Sequence, residues 1–258
     1  MSTPDRQALV DALRQIAAAA GETVMALYRA GTETRIKADA SPVTDADEAA
    51  EREIVAALAT LAPEIPIIAE EQAAAGSLPE RAPDRFWLVD PLDGTKEFIS
   101  RNGEFTVNIA LIEDRRPTLG IVVAPAVGTT YFTGADGHAY KIAGDGPPRR
   151  ITVARPAADG LTAVVSRSHR SPETDAYLAR YRIKAERSAG SSLKFGLVAE
   201  GAADIYPRLG RTMEWDTAAG HAVVRAAGGS VRALDGADLA YGKPGFDNPS
   251  FVVRGRDD

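Results

Sequence analysis

The chain has 258 residues, a formal net charge of −6 and no cysteine. Its length suits one large domain or two small ones, and 45% hydrophobic residues supply a core, so the composition excludes a disordered chain. The missing cysteines exclude disulfides and thiolate catalysis, and the acidic charge argues against a partner that is a nucleic-acid polymer. With no secretory signal pattern and no apolar run near the roughly 20 residues of a transmembrane segment, we expect a cytoplasmic protein or one attached peripherally to the inner membrane.

Two helices are predicted in the first part of the chain. Thr3-Pro4-Asp5 has the hydroxyl cap and early proline of a helix start, and the apolar residues that follow recur at helical spacing as far as Gly31. Residues 36–39 suit a short strand or loop. The second helix is expected over residues 46–61, with Thr44 or Asp45 as its cap.

A buried strand is predicted over residues 65–69, and it ends in Glu70 and Glu71. Adjacent side chains of an extended chain point in opposite directions, so these two acids are expected to do different jobs. Residues 73–85 have the composition of a surface loop.

The stretch from Trp87 to Phe98 is expected to organise the molecule. An apolar run over residues 86–89 suits a buried strand, and Asp90-Pro91 and Asp93-Gly94 then provide two turn signals. Asp90 and Asp93 would offer carboxylate oxygens, which hard divalent cations prefer, at the mouth of that strand. The same spacing also occurs in ordinary turns.

The remaining chain divides into two patterns. Antiparallel strands are predicted over residues 105–112, 119–123, 129–133 and 139–142. Residues 144–148 mark the expected boundary between halves 1–146 and 147–258, which together form one catalytic unit. The second half alternates strands at 162–166, 181–186, 204–207 and 230–233 with helices at 172–181, 191–200 and 216–227. This order predicts an α/β protein with stacked αβαβα layers.

Two motifs resemble signatures of the inositol monophosphatase superfamily, whose members are Mg²⁺-dependent, lithium-sensitive phosphatases. These are Asp90-Pro91-Leu92-Asp93-Gly94-Thr95 and Trp215-Asp216-Thr217-Ala218-Ala219-Gly220, which occur once each and in the expected order. The resemblance extends over about residues 42–250 and implies the five-layer sandwich that this family shares with fructose-1,6-bisphosphatase. Lys96-Glu97-Phe98 is similar to the branch that hydrolyses 3′-phosphoadenosine 5′-phosphate, that is, adenosine 3′,5′-bisphosphate.

The resemblance implies two or three Mg²⁺ ions. Four carboxylates gathered in one cleft would repel one another unless cations lay between them. By resemblance, one ion is held by Glu70, Asp90 and the Leu92 carbonyl, and another by Asp90, Asp93 and Asp216.

The expected nucleophile is a water activated by Mg²⁺, since the motifs contain no good covalent nucleophile. By resemblance, Thr95 would receive its proton and Asp45 would orient Thr95, so Thr95, Asp45 and Glu70 are the predicted catalytic residues. Asp47 is interpreted as a negative charge in the first turn of the helix, where it interacts favourably with the helix dipole.

The predicted substrate site begins with Gly94 and Thr95, whose backbone N–H groups would face the phosphate. Ser191, Ser192 and Lys194 stand at a predicted helix start, where they suit a phosphate, although a cap and a solvated lysine would give the same pattern. Arg208 lies on the next strand, and arginine is the preferred bidentate phosphate partner. The resemblance assigns Lys194 and Arg208 to a second, non-reacting phosphate, and places His169 against the purine beside Glu214 and Asp216.

The leading hypothesis is therefore a Mg²⁺-dependent 3′-nucleotidase that converts adenosine 3′,5′-bisphosphate to AMP and phosphate. The alternatives are an inositol or sugar monophosphatase of the same fold and a non-catalytic metal- and nucleotide-binding protein. An inositol phosphatase has no second phosphate to bind, so Lys194 and Arg208 favour the first hypothesis. The partner is a small molecule in each case, and a homodimer is one option for the assembly.

Overall fold

The computed structural model describes residues 3–37 and 42–256. The predicted helix cap at residues 3–5 lies outside the described side chains. Residues 38–39, part of a predicted strand or loop, lie outside the described residues. The helices are α1 (Thr3–Ala30), α2 (Asp45–Leu61), α3 (Glu70–Ala74), α4 (Thr95–Ile99), α5 (Pro172–Leu178), α6 (Leu193–Ala199) and α7 (Glu214–Ala226). The strands of the first half are β1 (Thr34–Ile36), β2 (Pro42–Thr44), β3 (Ile67–Ala69), β4 (Arg85–Asp93), β5 (Thr106–Glu113), β6 (Arg116–Ala124), β7 (Thr129–Thr133) and β8 (Ala139–Ala143). They are followed by β9 (Arg149–Ile151), β10 (Leu161–Ser166), β11 (Ile183–Ala189), β12 (Ile205–Arg208), β13 (Ser230–Ala233) and β14 (Phe251–Arg254).

Helices α1 and α2 cover one face of a seven-stranded sheet. The sheet runs in the order β3-β4-β5-β6-β7-β8-β9, and every pair in it is antiparallel except β3 with β4. Buried residues of α1 recur every three or four positions, as in Leu13, Ala17, Ala20 and Val24, and they pack on the sheet together with Ile54 of α2. The predicted helical periodicity of α1 and the predicted helix over residues 46–61 are confirmed.

The seven-stranded sheet is buried on both faces because its central strands alternate between two cores. In β4, Trp87 and Val89 face α1 and α2, whereas Phe86 and Leu88 face α6 and α7. This period of two explains why the strand reads as a continuous apolar run in the sequence.

A five-stranded sheet in the order β11-β10-β12-β14-β13 covers the other side of α6 and α7. In β10, Val164 faces these two helices, whereas Ala163 and Val165 face Leu178 of α5 on the outside. The layers are therefore α1/α2, sheet, α6/α7, sheet and α5, which confirms the predicted αβαβα sandwich.

Several elements differ from the prediction, including α3, which was not predicted. The sequence indicated a turn directly after residue 89, but β4 continues to Asp93 with a bulge between Asp90 and Asp93. Strand β9 joins the first sheet from beyond the predicted boundary at residue 146, and β14 was not predicted.

In the described part of the chain, the helices are too short or too polar to cross a bilayer.

Candidate active site

A cleft of about 370 Å³ lies between the two halves and collects most of the predicted site residues. The first half contributes Glu70, Asp93, Gly94 and Thr95 to its lining, and the second half contributes His169, Ser191, Ser192, Lys194, Arg208 and Asp216. Asp90 and Leu92 lie just behind this surface and are 1% exposed. The cleft thus joins two motifs that are more than a hundred residues apart in the sequence.

The end of β4 is shaped by its bulge and by Gly94. The Asp90 carboxylate accepts a hydrogen bond from the Leu92 N–H at 3.0 Å, which closes a tight local turn within the strand. Gly94 has φ of +93°, and a Cβ there would lie 3.2 Å from Ser191 Cβ. Glycine is favoured at this position because it tolerates the left-handed backbone and the close approach.

Thr95 is paired with Asp47, so the prediction that Asp45 orients it is wrong. Thr95 Oγ1 lies 3.2 Å from Asp47 Oδ1 and 3.4 Å from the Leu92 carbonyl oxygen. Asp45 instead forms a surface ion pair with Arg35 at 2.8 Å, with 55% of its side chain exposed. The two aspartates are two positions apart on a helix, about 200° around its axis, so only one of them can face the core.

Asp47 is also more than a first-turn charge on α2. Its Oδ2 accepts hydrogen bonds at 2.7 Å from both the N–H and the hydroxyl of Thr44, which is the cap of the helix. Oδ1 is thereby left facing Thr95. Burial raises the pKa of Asp47 to about 6, against the opposing effect of the Thr44 hydrogen bonds. The Thr-x-x-Asp spacing of a capping box was the sequence signal for this inward orientation.

Glu70 and Glu71 share Lys37 as a partner, but only Glu70 lines the cleft. They lie in the first turn of α3 and not on an extended strand, so their side chains do not alternate. Lys37 Nζ lies 2.8 Å from Glu70 Oε1 and 2.6 Å from Glu71 Oε1. Burial alone would lower the pKa of Lys37, but the two carboxylates raise it overall.

The buried acids carry more negative charge than their surroundings neutralise. Burial raises the pKa of Asp90 well above its usual value, and repulsion from Glu70, Asp93 and Asp216 adds to the effect. Burial followed by repulsion from Asp93 and Glu70 likewise raises the pKa of Asp216. Buried oxygen donors that repel one another in this way fit a hard divalent cation such as Mg²⁺.

The same acids do not form a complete cage by themselves. Among residues 3–37 and 42–256, no three acidic or histidine side chains are gathered closely enough to hold a metal ion. The expected trio of Asp90, Asp93 and Asp216 is therefore not preassembled around a single position. Mg²⁺ usually takes one or two protein carboxylates and completes its shell with water and phosphate oxygens, so the donor set fits an ion shared with a phosphate ligand.

Ser192 connects the acids of the two halves and does not present its hydroxyl to the cleft. Its Oγ lies 2.9 Å from Asp93 Oδ2 and 2.7 Å from the Asp216 carbonyl oxygen, and it accepts a hydrogen bond from Asn108 at 3.0 Å. Ser192 lines the cleft, but its hydroxyl is engaged by these partners, so its contact with the substrate stays a prediction. Its hydroxyl positions the end of β4 against the start of α7.

Ser191, Lys194 and Arg208 form a second polar group in the lining of the cleft, which we call the Lys194 group. Lys194 is 4% exposed, and its Nζ donates to the Ser191 carbonyl at 2.6 Å and lies 3.4 Å from the Ala189 carbonyl. Burial lowers its pKa to about 8, while the charge of Asp93 opposes the shift. Ser191 has φ of +41°, and the Nη2 of Arg208 donates to the Arg211 carbonyl at 3.1 Å.

His169 stands beside this group as a neutral ring. Its Nε2 lies 3.4 Å from Lys96 Nζ across the mouth of the cleft. Burial, followed by the charges of the nearby Arg208 and Lys96, lowers the pKa of His169 to about 4. A neutral imidazole among cations suits packing against an uncharged ring.

Glu214 does not contact the cleft, so its predicted role in substrate binding is wrong. Its carboxylate is fully buried and accepts hydrogen bonds from the N–H groups of Gly242 and Lys243 at 2.6 and 2.9 Å. Lys243 Nζ pairs with it at 2.5 Å. These contacts connect the loop over residues 241–248 to the first turn of α7, two positions before Asp216.

Sequence reasoning missed Lys37 and Asn108, which lie at the site through tertiary contacts, and it used Lys96 only as part of the Lys96-Glu97-Phe98 motif. Lys37 resembles a solvated lysine in the sequence. Asn108 is a polar residue inside an apolar strand, and this pattern was the one signal that could have identified it; in the structure it is 1% exposed in β5.

Comparison with known proteins gives consistent matches over nearly the whole chain. The model of the inositol monophosphatase family matches residues 5–254. The 3′(2′),5′-bisphosphate nucleotidase CysQ of Escherichia coli K12 is 47% identical over 248 residues, which cover 95% of this chain and 99% of that protein. The crystal structure of CysQ from Bacteroides thetaiotaomicron superposes with a TM-score of 0.81 at 39% identity, covering 98% of each chain. An IMPase of Thermotoga maritima is more distant, with a TM-score of 0.76 at 26% identity over 93% of this chain and 89% of that one.

Proposed function

The chain belongs to the inositol monophosphatase family, and from this premise we propose that it is a Mg²⁺-dependent 3′(2′),5′-bisphosphate nucleotidase. Its substrate would be adenosine 3′,5′-bisphosphate, and its products AMP and phosphate. The fold, the cleft and the similarity to two CysQ proteins support this activity. The proposal goes further in assigning the metal, the substrate and the role of each residue.

One observation carries the choice of a bisphosphate. Ser191 Oγ and Arg208 Nε are both buried in the cleft wall, and neither has a hydrogen-bond partner among the residues that the structure describes. A buried polar atom without a partner costs free energy, so two of them beside the Lys194 ammonium indicate an anionic ligand. This group lines the same cleft as the acids, so one substrate with two phosphates could contact both.

An inositol or sugar monophosphatase is the second candidate, because the family includes such enzymes by name. Its substrate would occupy the acidic end of the cleft and would leave Ser191 Oγ and Arg208 Nε without partners. A non-catalytic binding protein is less well supported, since Thr95, Asp47 and all the predicted acids are present.

The residues of the chain suggest how hydrolysis would proceed. The residues that would hold Mg²⁺ are Glu70, Asp90, Asp93, Asp216 and the Leu92 carbonyl. The bound ion would neutralise charge at the phosphoryl oxygens and lower the pKa of an attacking water.

Thr95 and Asp47 then provide a route for the proton of the attacking water. The Thr95 hydroxyl donates to Asp47 Oδ1, and a carboxylate whose pKa is about 6 is ionised yet basic at neutral pH. Binding of the remote phosphate by Lys194 and Arg208 would orient the reacting one.

We further propose that the two halves act as one catalytic unit in the cytoplasm, since the cleft takes residues from both sides of residue 146. The absence of cysteine fits a reducing compartment. Size-exclusion chromatography with light scattering would decide between a monomer and the homodimer.

The test is a comparison of Arg208→Ala with the parent on three substrates. A charge-assisted contact is worth about 1.5–3 kcal/mol, so kcat/KM for adenosine 3′,5′-bisphosphate should fall by roughly one to two powers of ten. The loss should be small on adenosine 3′-phosphate and on inositol 1-phosphate, which have no second phosphate. Equal losses on all three substrates would indicate that Arg208 supports the fold or the acidic end, and would return the assignment to a monophosphatase.

A further inference from the structure

Glu104 and Arg167 form an ion pair outside the cleft that contacts the backbone beside the Lys194 group, which is the second-phosphate site of the proposed function. Arg167 Nε lies 2.6 Å from Glu104 Oε2, and Arg167 Nη2 lies 2.7 Å from Glu104 Oε1. This is the parallel two-bond geometry of an arginine–carboxylate pair, which fixes both side chains.

The pair contacts the chain on both sides of Ala189. Glu104 Oε2 accepts a hydrogen bond from the Gly190 N–H at 2.7 Å, and Arg167 Nη2 donates to the Ser188 carbonyl at 3.2 Å. Gly190 also approaches the first half closely, since a Cβ there would lie 2.6 Å from the Glu104 carbonyl oxygen and 2.7 Å from Glu97 Cγ. The Ser188–Gly190 backbone is therefore held between two side chains and a close backbone contact.

This backbone sets the position of the second-phosphate site. Lys194 Nζ is directed by the carbonyls of Ala189 and Ser191, at 3.4 and 2.6 Å. Ser191 follows Gly190 directly, lines the cleft and has a left-handed φ of +41°, and its Oγ is buried without a partner among the described residues. A shift of Gly190 would move both the ammonium and the hydroxyl.

We propose that Glu104, through its bidentate pair with Arg167, is a positioning residue that sets the affinity of this site for the remote phosphate of the substrate. The inference rests on the proposed function for the identity of the ligand. Glu104 itself faces backbone and Arg167, so it acts through Gly190 and touches no substrate atom.

A matched control is available on the same loop. Arg170 pairs with Glu186 and Asp175 at 2.7 Å each, and 42% of its side chain is exposed, compared with 44% for Arg167. Because these partners lie on the outer surface, Arg170→Ala removes an equally exposed paired arginine without touching residues 188–190.

The test measures binding of adenosine 5′-phosphate by calorimetry in the presence of a chelator, so that the acidic end of the cleft takes no part. Glu104→Gln and Arg167→Met should each weaken binding about tenfold, and the double variant should be no weaker than the worse single variant, because the two residues act as a unit. Arg170→Ala should bind within about twofold of the parent. Thermal unfolding of each variant shows that the fold is intact.

A kinetic measurement separates positioning from general structural support. In Glu104→Gln the KM for the bisphosphate should rise more than kcat falls, and its loss of kcat/KM should exceed that on adenosine 3′-phosphate severalfold. Parent-like binding by Glu104→Gln, or no binding of adenosine 5′-phosphate by the parent, would overturn the inference. If binding depends on Glu104 while the parent hydrolyses no 3′-phosphate, the inference stands and the proposed function fails.

Discussion

Asp47 is the residue that links the cap of α2 to the chemistry of the cleft. One of its oxygens is fixed by Thr44 and the other faces Thr95, so the helix start determines where a proton acceptor stands. The carboxylate is 1% exposed, which keeps water from competing for that position.

Asp47→Asn and Asp45→Asn therefore test which of the two aspartates acts with Thr95. The first keeps the shape and an acceptor for Thr44 but removes the base, so kcat should fall by about two to four powers of ten. The second removes an exposed partner of Arg35 and should leave kcat within about twofold. Steady-state kinetics at saturating Mg²⁺ measure both. A larger loss in Asp45→Asn would restore the assignment that the structure contradicts.

The two aspartates also show the limit of prediction at this scale. The sequence identified the motif residues Asp90, Asp93, Thr95 and Asp216, because their spacing is specific. It placed the orienting acid two positions too early, since both aspartates suit a helix start. Only the packing of α2 on the sheet decides which face is inward.

At the scale of elements, close packing of α6 on α7 determines the middle layer. A Cβ on Gly220 of α7 would lie 2.4 Å from Phe195 Cγ of α6, so a larger residue cannot be placed there without a shift. Gly21 in α1 is different, because its Cβ would meet Pro125 and Val123 at 3.4 Å, an ordinary contact distance.

Gly220→Ala and Gly21→Ala should consequently change stability in opposite directions. Overpacking should cost Gly220→Ala about 1–3 kcal/mol in the free energy of unfolding. Gly21→Ala should gain up to about 1 kcal/mol from helix propensity. Urea unfolding followed by circular dichroism measures both changes. Equal stabilisation by the two alanines would show that the α6–α7 contact is looser than the structure indicates.

Most elements were predictable because their periodicity is strong, as in the alternation of β4 and the helical stripe of α1. The weak points were short elements that depend on partners. Strand β9 has three residues and pairs only with β8 among the described strands, and β14 forms between β12 and β13, which precede it in the chain. Such pairings are decided by tertiary contacts and leave little local pattern.

The stability of the whole protein should depend on Mg²⁺, because the carboxylates at the acidic end of the cleft repel one another when no cation is bound. Mg²⁺ at ten times its dissociation constant would stabilise the native state by about 1.4 kcal/mol, which corresponds to a rise in Tm of roughly 3–5 °C. The rise should shrink in Asp93→Asn and Asp216→Asn but persist in Asp45→Asn. Differential scanning fluorimetry with Mg²⁺ and with chelator measures it. An identical Mg²⁺ shift in all four proteins would contradict the assigned ligands.

His221 should make the molecule sensitive to acid. Burial lowers its pKa to about 3, and its Nδ1 lies 2.9 Å from the Tyr241 hydroxyl. Its ordinary pKa is about 6.5. Between about pH 3 and pH 6.5 this histidine is therefore protonated in the unfolded chain and neutral in the folded protein. The neutral ring thus contributes stability that is complete above about pH 6.5 and is lost as the pH falls towards 3. His221→Gln should flatten this part of the stability profile, and His138→Gln should not. Parallel profiles for parent and His221→Gln would refute the assignment.

We propose that the cleft binds two phosphates and hydrolyses one of them with Mg²⁺. The most direct measurement is kcat/KM of the purified parent on adenosine 3′,5′-bisphosphate, adenosine 3′-phosphate and inositol 1-phosphate, each with Mg²⁺ and with chelator. We predict that the bisphosphate is preferred over both monophosphates by at least about tenfold, and that chelator abolishes turnover of all three. Equal turnover of adenosine 3′-phosphate, a preference for inositol 1-phosphate, or full activity in chelator would contradict the account.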